Sequence, residues 1–564
     1  MIMEKMLQNE LDVIDIWKAY QDGINYNGQL NLADTVEENN LMYVGRQWEG
    51  VETQGLPTVT LDFIKPVVQF KVASITSSKT KLTVQPTGVA GKNDNQQKTI
   101  ADVVNTQLDE VTEREKLETK LLSLMTSTAV DGDGCWHIYW DPDKKTGQPV
   151  NGDISIEQIP NVHVYFGNTA SAEVQTQPYI IIERREYISN LKARALEMGL
   201  EESEVEAIRP DRDNQYTIVN DDNRVTVLTF YFRDYASGTI QMLECTQHVL
   251  LRPQTDTGLC FYPVCWQNWE PRLNDYHGEP CVSELATNQI TVNKLASMNA
   301  ISLSRTAFPT ILYNANLLPD GWDNSVGACI GVADLPNMKA ADVATVIQGA
   351  STNSQVEGFF RDLLQLTKDL NGASDAMLGS IDPNNTSAIL ALQKTSMVPL
   401  ELNKRRMYAF LEDFARIAID FMSNYYGERY VLADNPMSGK KEVTLFDFDA
   451  LADIAFNIKI DVGPTSQWSE LAEMQMLDGL LSKQIIDGES YLKYMPNGLF
   501  ANRQPLLDKL EQERKKEETE GKQDALQSML KKSPKLAQKV QGLKNTNPQG
   551  YEQVIKSLNE KMQG

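Results

Sequence analysis

The sequence predicts an α+β, helix-rich fold, and three patterns carry that expectation. Apolar residues recur at helical spacing through residues 283–308, 355–370 and 387–426. From Gly134 to Gln267 the period changes to two, with turn signals at Asp131-Gly132, Asp133-Gly134, Asn151-Gly152 and Ser237-Gly238. Short strand-like pieces then return between the helices, at Thr310–Tyr313 and Gly327–Val332, and after them, at Val443–Phe446 and Phe456–Val462.

The first of the three helical segments, Ser283 to Phe308, has Ser283 placed to cap and Glu284 in the first turn. Leu285, Val292, Leu295, Met298 and Ile301 form its apolar stripe. Between Leu285 and Ala307 it carries two charges, Lys294 and Arg305, and its polar side is otherwise Asn, Gln, Ser and Thr. Such a face suits packing against neighbours, where a buried charge is costly. Asn293, Ser297 and Asn299 are therefore expected at contacts between copies of the chain. The segment 387–426 shows a sustained stripe from Met407 through Phe410, Leu411, Phe414, Ile417, Ala418, Phe421 and Met422 to Tyr425. Pro399 inside it is expected to kink or interrupt the helix. If continuous, it extends roughly 60 Å at 1.5 Å per residue, a length that belongs to assemblies rather than compact enzymes.

The remaining elements follow in order. Residues 1–48 read as helical, with Leu7, Leu11, Ile14 and Trp17 on one face, and close on Gly45-Arg46-Gln47-Trp48. An extended stretch starts at Leu56-Pro57. Asp62–Ser74 fits helix or strand, and Leu82–Pro86 a short strand. Asn95–Ala129 reads as one amphipathic helix. Strands are expected at Trp136–Trp140, Ile154–Pro160, Val225–Phe232 and Ile240–Leu243, with a helix at Ile188–Met198. Gln355–Leu370 is a helix ended by Asn371-Gly372. Trp468–Leu481, Gly488–Leu492 and the highly charged Leu506–Glu520 complete the helices.

Composition bounds the function. With 564 residues, 41% hydrophobic and 23% charged, the chain falls in the globular class. It has 77 acidic and 53 basic residues, a net charge of −24. That balance opposes tight wrapping of nucleic acid, which needs clustered Lys and Arg, but lets a duplex slide past a repelling wall. The tail from Lys522 to Gly564 departs from the rest, with eight Lys, three acidic residues and a net +5. Cys135, Cys245, Cys260, Cys265, Cys281 and Cys329 are scattered and read as reduced thiols of a cytosolic compartment. The N-terminus does not read as a signal peptide, and no apolar run approaches the ~20 residues that span a bilayer, so no membrane partner is expected.

The sequence contains no phosphate loop, dinucleotide fingerprint, H-E-x-x-H or G-x-S-x-G motif. His137, His163, His248 and His277 stand far apart and read as structural or surface residues. Asp131–Gly134 starts like a calcium loop but lacks the later ligands, so a hairpin turn is the better reading. Cys260, Cys265 and Cys281 fit no zinc spacing and read as buried small hydrophobes. Lys404-Arg405-Arg406 reads as a solvated helix turn. No pair of carboxylates stands out as a general acid and base. No catalytic residue, metal or cofactor is expected.

The order of parts resembles the portal proteins of tailed bacteriophages. The resemblance rests on Phe359-Phe360-Arg361-Asp362-Leu363-Leu364, on Gly372–Gly379 in the pattern G-x-S-x-x-x-L-G, and on Thr386-Ser387-Ala388-Ile389-Leu390-Ala391-Leu392-Gln393 opening the long helix. It implies a subunit with an α+β wing (1–282 and 427–465), stem helices (283–308 and 354–373), a small α/β clip inserted between them (309–353), a channel loop and long kinked helix (374–426), and a helical crown with a basic tail (466–564). Within the channel loop, Asp382, Asn384, Asn385 and Ser387 would face DNA without a Lys or Arg, which suits passage rather than grip. The resemblance further implies a ring of about twelve copies at one capsid vertex of the virion, assembled in the host cytoplasm. The ring would conduct double-stranded DNA, contact the terminase, head-completion or adaptor proteins and the major capsid protein, and hydrolyse no ATP. The other readings are a different virion structural protein, such as a minor capsid protein or scaffold, and a carboxylate-based hydrolase.

Overall fold

The structure, a computed structural model, describes residues 5–6, 11–53, 55–77, 80–86, 94–211, 223–307, 310–316, 318, 321, 323, 339, 343–347, 354–370, 386–434, 441–451, 456–462, 476–483, 485–486, 488–495 and 506. The fold is mixed α and β. The chain divides into two units, Met1–Gly463 and Pro464–Gly564.

The first unit opens with helices α1 (Val13–Gln29), α2 (Leu32–Tyr43) and α3 (Ile64–Thr76). The side chain of Asp12 accepts from the Val13 N–H and that of Asp15 from the Asp12 N–H, satisfying donors that a helix start leaves bare. The stretch that fitted helix or strand is helical from Ile64 on: Ile64, Val67, Val68, Val72 and Ile75 fall on one buried face. Strand β1 is Thr80–Pro86.

Next come two helices, α4 (Asp94–Arg114) and α5 (Leu117–Asp131), where one was expected. Lys116 adopts φ 51° at the break. Beside it the Glu115 carboxylate turns inward, taking Lys120 Nζ at 2.6 Å, Lys144 Nζ and the Ile156 N–H. A continuous helical period passes through this position, so the period alone could not reveal the break.

Strands β2 (Asp133–Asp141), β3 (Asp153–Ile159), β4 (Val164–Phe166) and β5 (Tyr179–Tyr187) follow, then α6 (Ile188–Glu197) and α7 (Glu202–Ala207). Strands β6 (Arg224–Arg233), β7 (Ile240–Cys245), β8 (Leu250–Asp256) and β9 (Val264–Asn268) complete two antiparallel sheets, ordered β3-β2-β9 and β4-β5-β6-β7-β8. The sequence reading missed β5 because Ile180, Ile181 and Ile182 are buried on both faces, which erases the alternation. Asp131–Gly134 is not a hairpin turn. Gly132, at φ 96°, closes α5, and a Cβ there would lie 2.7 Å from the Gly278 carbonyl.

A two-residue ladder, β10 (Glu270–Pro271) with β11 (Gly278–Glu279), leads into the long helical part. This comprises α8 (Cys281–Ala307), strands β12 (Thr310–Tyr313) and β13 (Ala344–Ile347), α9 (Ser354–Leu370) and α10 (Thr386–Tyr425). Helix α8 starts two residues before the expected cap. Ser283 lies inside it and accepts from Asn39 Nδ2 at 3.0 Å. Helix α10 is continuous over 40 residues with Pro399 inside it.

After α10, β14 (Glu428–Asp434) pairs with β15 (Lys441–Asp447), and β16 (Phe456–Val462) pairs with β1 in antiparallel register from Thr80↔Val462 to Pro86↔Phe456. The main core gathers α3, α4, α5, β2, α8 and α10. Trp136 is fully buried, edge-on to Phe410 at 4.9 Å and Phe414 at 5.8 Å. Each such side chain contributes about 1.5–3 kcal/mol by leaving water. In the second unit residues 476–482 and α11 (Gly488–Tyr494) are helical, and Tyr491 Oη donates to Asp478 at 2.7 Å. The segment 327–332, most of the charged segment 506–520 and the basic tail lie outside the described residues.

Candidate functional site

Helices α8 and α9 run antiparallel as an arm. Asn288, near the start of α8, donates to Thr367 Oγ1, near the end of α9, at 3.2 Å. Their opposite ends feed β12 and β13, which pair from Thr310↔Ile347 to Tyr313↔Ala344. The root of α8 is buried through Val282, Leu285 and Val292. Further along, apolar side chains stand in solvent: Leu303 is 72% exposed and Phe359 56%. On α10, Val398 and Leu402 are exposed as well, while the later stripe from Met407 onward is buried. A scattered exposed leucine is ordinary, but here several apolar residues gather on one arm.

The uncharged polar side of α8 has a different use from the one expected. Gln289, Asn293 and Ser297 recur every four residues and so share one stripe. Phe63 N–H donates to Gln289 Oε1 at 3.0 Å, Leu61 N–H to Asn293 Oδ1 at 3.0 Å, and Val59 N–H to Ser297 Oγ at 3.2 Å. Gln289 Nε2 in turn donates to the Leu61 carbonyl at 2.8 Å, and Asn293 Nδ2 to Gln47 Oε1. The stripe acts as a substitute strand edge for residues 59–63. Asn293 and Ser297 are thus buried within their own chain and are corrected from contacts between copies to contacts inside one copy. A lack of charge marks burial, and does not say which surface does the burying. Asn299 lies off this stripe and is half-buried. Gln47, which the sequence reading placed in a closing motif, is the partner it could not have found.

Asp382, Asn384 and Asn385 lie outside the described residues. Ser387 belongs to the first turn of α10, and its side chain lies outside them too. The basic cluster is not simply solvated. Arg406 donates to the Trp269 carbonyl at 2.6 Å, tying α10 to the strands, while Arg405 pairs loosely with Glu401.

The body holds a cavity of about 500 Å³ where the two sheets meet the end of α10. His137 lies in its wall, between Arg184 Nη2 at 2.8 Å and Tyr231 Oη at 3.0 Å. Arginine only donates, so Nδ1 accepts and Nε2 carries the proton. Burial, reinforced by the Arg184 charge, holds His137 well below the ordinary histidine range and keeps it neutral. Arg184 is itself forked onto Glu157 at 2.7 and 3.2 Å. A second histidine, His277, meets Asp133 at 2.7 Å with both side chains fully buried. Asp133 also accepts from Asn268 and the Gly278 N–H, each at 2.7 Å. His137 thus joins β2 to β5 and β6, and His277 joins β2 to Asn27 of α1. Cys135, Cys245, Cys265 and Cys281 are buried, but Cys260 is exposed, which corrects its reading as a buried hydrophobe. Among the described residues no group of three His, Cys, Asp or Glu is placed to hold a metal, and no helix is long and apolar enough to cross a membrane.

No protein-family model matches the chain, and no curated protein matches it.

Proposed function

We propose that the chain is a portal-type subunit: copies assemble into a ring, about twelve in number, at one capsid vertex, and the ring conducts double-stranded DNA during packaging and ejection. The observation that carries this reading is the antiparallel arm of α8 and α9, which exposes apolar side chains and ends in the paired strands β12 and β13. A helix pair of this kind buries those side chains when identical arms lie side by side around an axis. The long α10 and the resemblance of residues 355–393 to portal sequences support the same reading.

The net charge of −24 suits a conduit. Like charge keeps a polyanion from sticking to the wall as it moves. In this reading the β12–β13 end of the arm docks the terminase and, later, head-completion or adaptor proteins. The β-rich body faces the major capsid protein, and the segment holding Asp382, Asn384 and Asn385 lies nearest the DNA.

Negative-stain imaging and mass photometry of the purified chain at micromolar concentration test the reading. Rings with a central hole wide enough for a duplex are expected. A population of monomers alone, unchanged by capsid proteins, overturns it.

A further inference from the structure

At the root of the arm, Lys71 of α3 meets Cys281, the first residue of α8. Lys71 Nζ lies 3.3 Å from Cys281 Sγ in hydrogen-bonding geometry. Lys71 is 8% exposed and Cys281 1%. A lysine is seldom buried so deeply, and its four-carbon stem here brings the amine to a thiol. Glu284 stands one turn further along α8 and feels the Lys71 charge.

We propose that Lys71 and Cys281 form an oxidative cross-linking site, at which a small peroxide converts the contact into a covalent nitrogen–sulfur bond. In the first step the Cys281 sulfur attacks one oxygen of hydrogen peroxide. The O–O bond breaks, sulfur loses two electrons, and sulfenic acid and one water result. In the second step the Lys71 nitrogen, after giving the proton of its charged form to water, attacks that sulfur. The N–S bond forms, the S–O bond breaks, and the hydroxyl leaves as water with a proton from the nitrogen. One peroxide is consumed, two waters are released and the protein loses two hydrogens. Condensation of a sulfenic acid with a nearby nitrogen is established cysteine chemistry, and here the nitrogen is already in contact.

Burial pushes the Cys281 thiol up, and the neighbouring Lys71 charge and hydrogen bond partly offset it. Oxidation at Cys281 is therefore slower than at the exposed Cys260, which lies beside Asp420 and gives an internal comparison. The bond would join α3 to the base of the arm, and it stands whether or not the chain forms a ring.

The test treats the full chain with hydrogen peroxide, digests it without reductant and maps it by mass spectrometry. The expected product is a Lys71 peptide joined to a Cys281 peptide, about 2 Da lighter than their sum and separated by dithiothreitol. It is absent from K71R and from C281S, each first shown to melt like the parent. Recovery of Cys281 as an unlinked sulfinic acid, or as an unlinked thiol at peroxide exposures well beyond those that fully oxidise Cys260, overturns the proposal.

Discussion

Asn293 Oδ1 accepts the Leu61 backbone N–H at 3.0 Å, so a helix face that looked prepared for another copy of the chain is closed by residues far earlier in the same chain. The contact separates two kinds of variant on α8. N293A leaves the Leu61 N–H without its acceptor, at a cost of about 1–3 kcal/mol of subunit stability. N299E, off the stripe, is expected to leave the denaturation midpoint nearly unchanged and to lower the fraction of rings. Urea denaturation and mass photometry read the two effects separately.

Glu115 carries a second prediction. Burial pushes its carboxyl up, but hydrogen bonds and charge from Lys120 and Lys144 outweigh that and hold it below the usual value. E115A leaves the Ile156 N–H without its carboxylate acceptor and leaves Lys120 and Lys144 with the Ile156 and Ile154 carbonyls, for a loss of about 1–3 kcal/mol. A depressed carboxyl contributes stability above its unfolded pKa and loses it as pH falls through the folded value. The gap between the parent and E115Q should therefore narrow as pH drops from neutral towards about 3. A gap that stays constant over that range counts against the ion-pair account.

Asp131 predicts the opposite slope. Burial, aided by the Asp133 charge, pushes its carboxyl up to about 7, with the Asn40 hydrogen bond pulling back. A raised carboxyl favours the folded state while both states are protonated, and that advantage is lost as pH climbs from the unfolded value to the folded one. D131N retains an acceptor for Asn40 and has no charge to bury. It should be more stable than the parent by up to about 4 kcal/mol at alkaline pH and equal to it near the unfolded carboxyl value. Thermal melts over that range check the sign.

The exposed arm gives a fourth prediction. L303E and F359E alter side chains that are 72% and 56% exposed, so subunit stability should shift by no more than about 0.5 kcal/mol. Ring formation should fall sharply, because each change repeats in every copy at the same contact. Rings at parental yield would remove the arm from the interface.

Where the pattern repeats locally, the sequence reading came close to the structure. The stripe from Met407 to Tyr425 lies on a helix, with Phe410 and Phe414 against Trp136. The strands at Trp136–Trp140 and Val225–Phe232 occur within slightly longer ones. Readings failed where a tertiary partner overrode the local period. Glu115 breaks a helix that its neighbours would continue, and Gly132 caps a helix where a hairpin looked natural. Strands β5 and β9, buried on both faces, carried no alternation to detect.

The sequence by itself determined the alternation of helix and strand, the acidic balance and the uncharged side of α8, because each is a property of composition or of neighbours a few residues apart. Only the tertiary structure decided that this side receives residues 59–63 and Gln47, that β1 pairs with β16, and that Lys71 reaches Cys281. Those contacts join positions far apart in the chain. Which distant surfaces meet depends on how their shapes and unpaired hydrogen-bonding groups fit once the core has closed, and no local pattern records that.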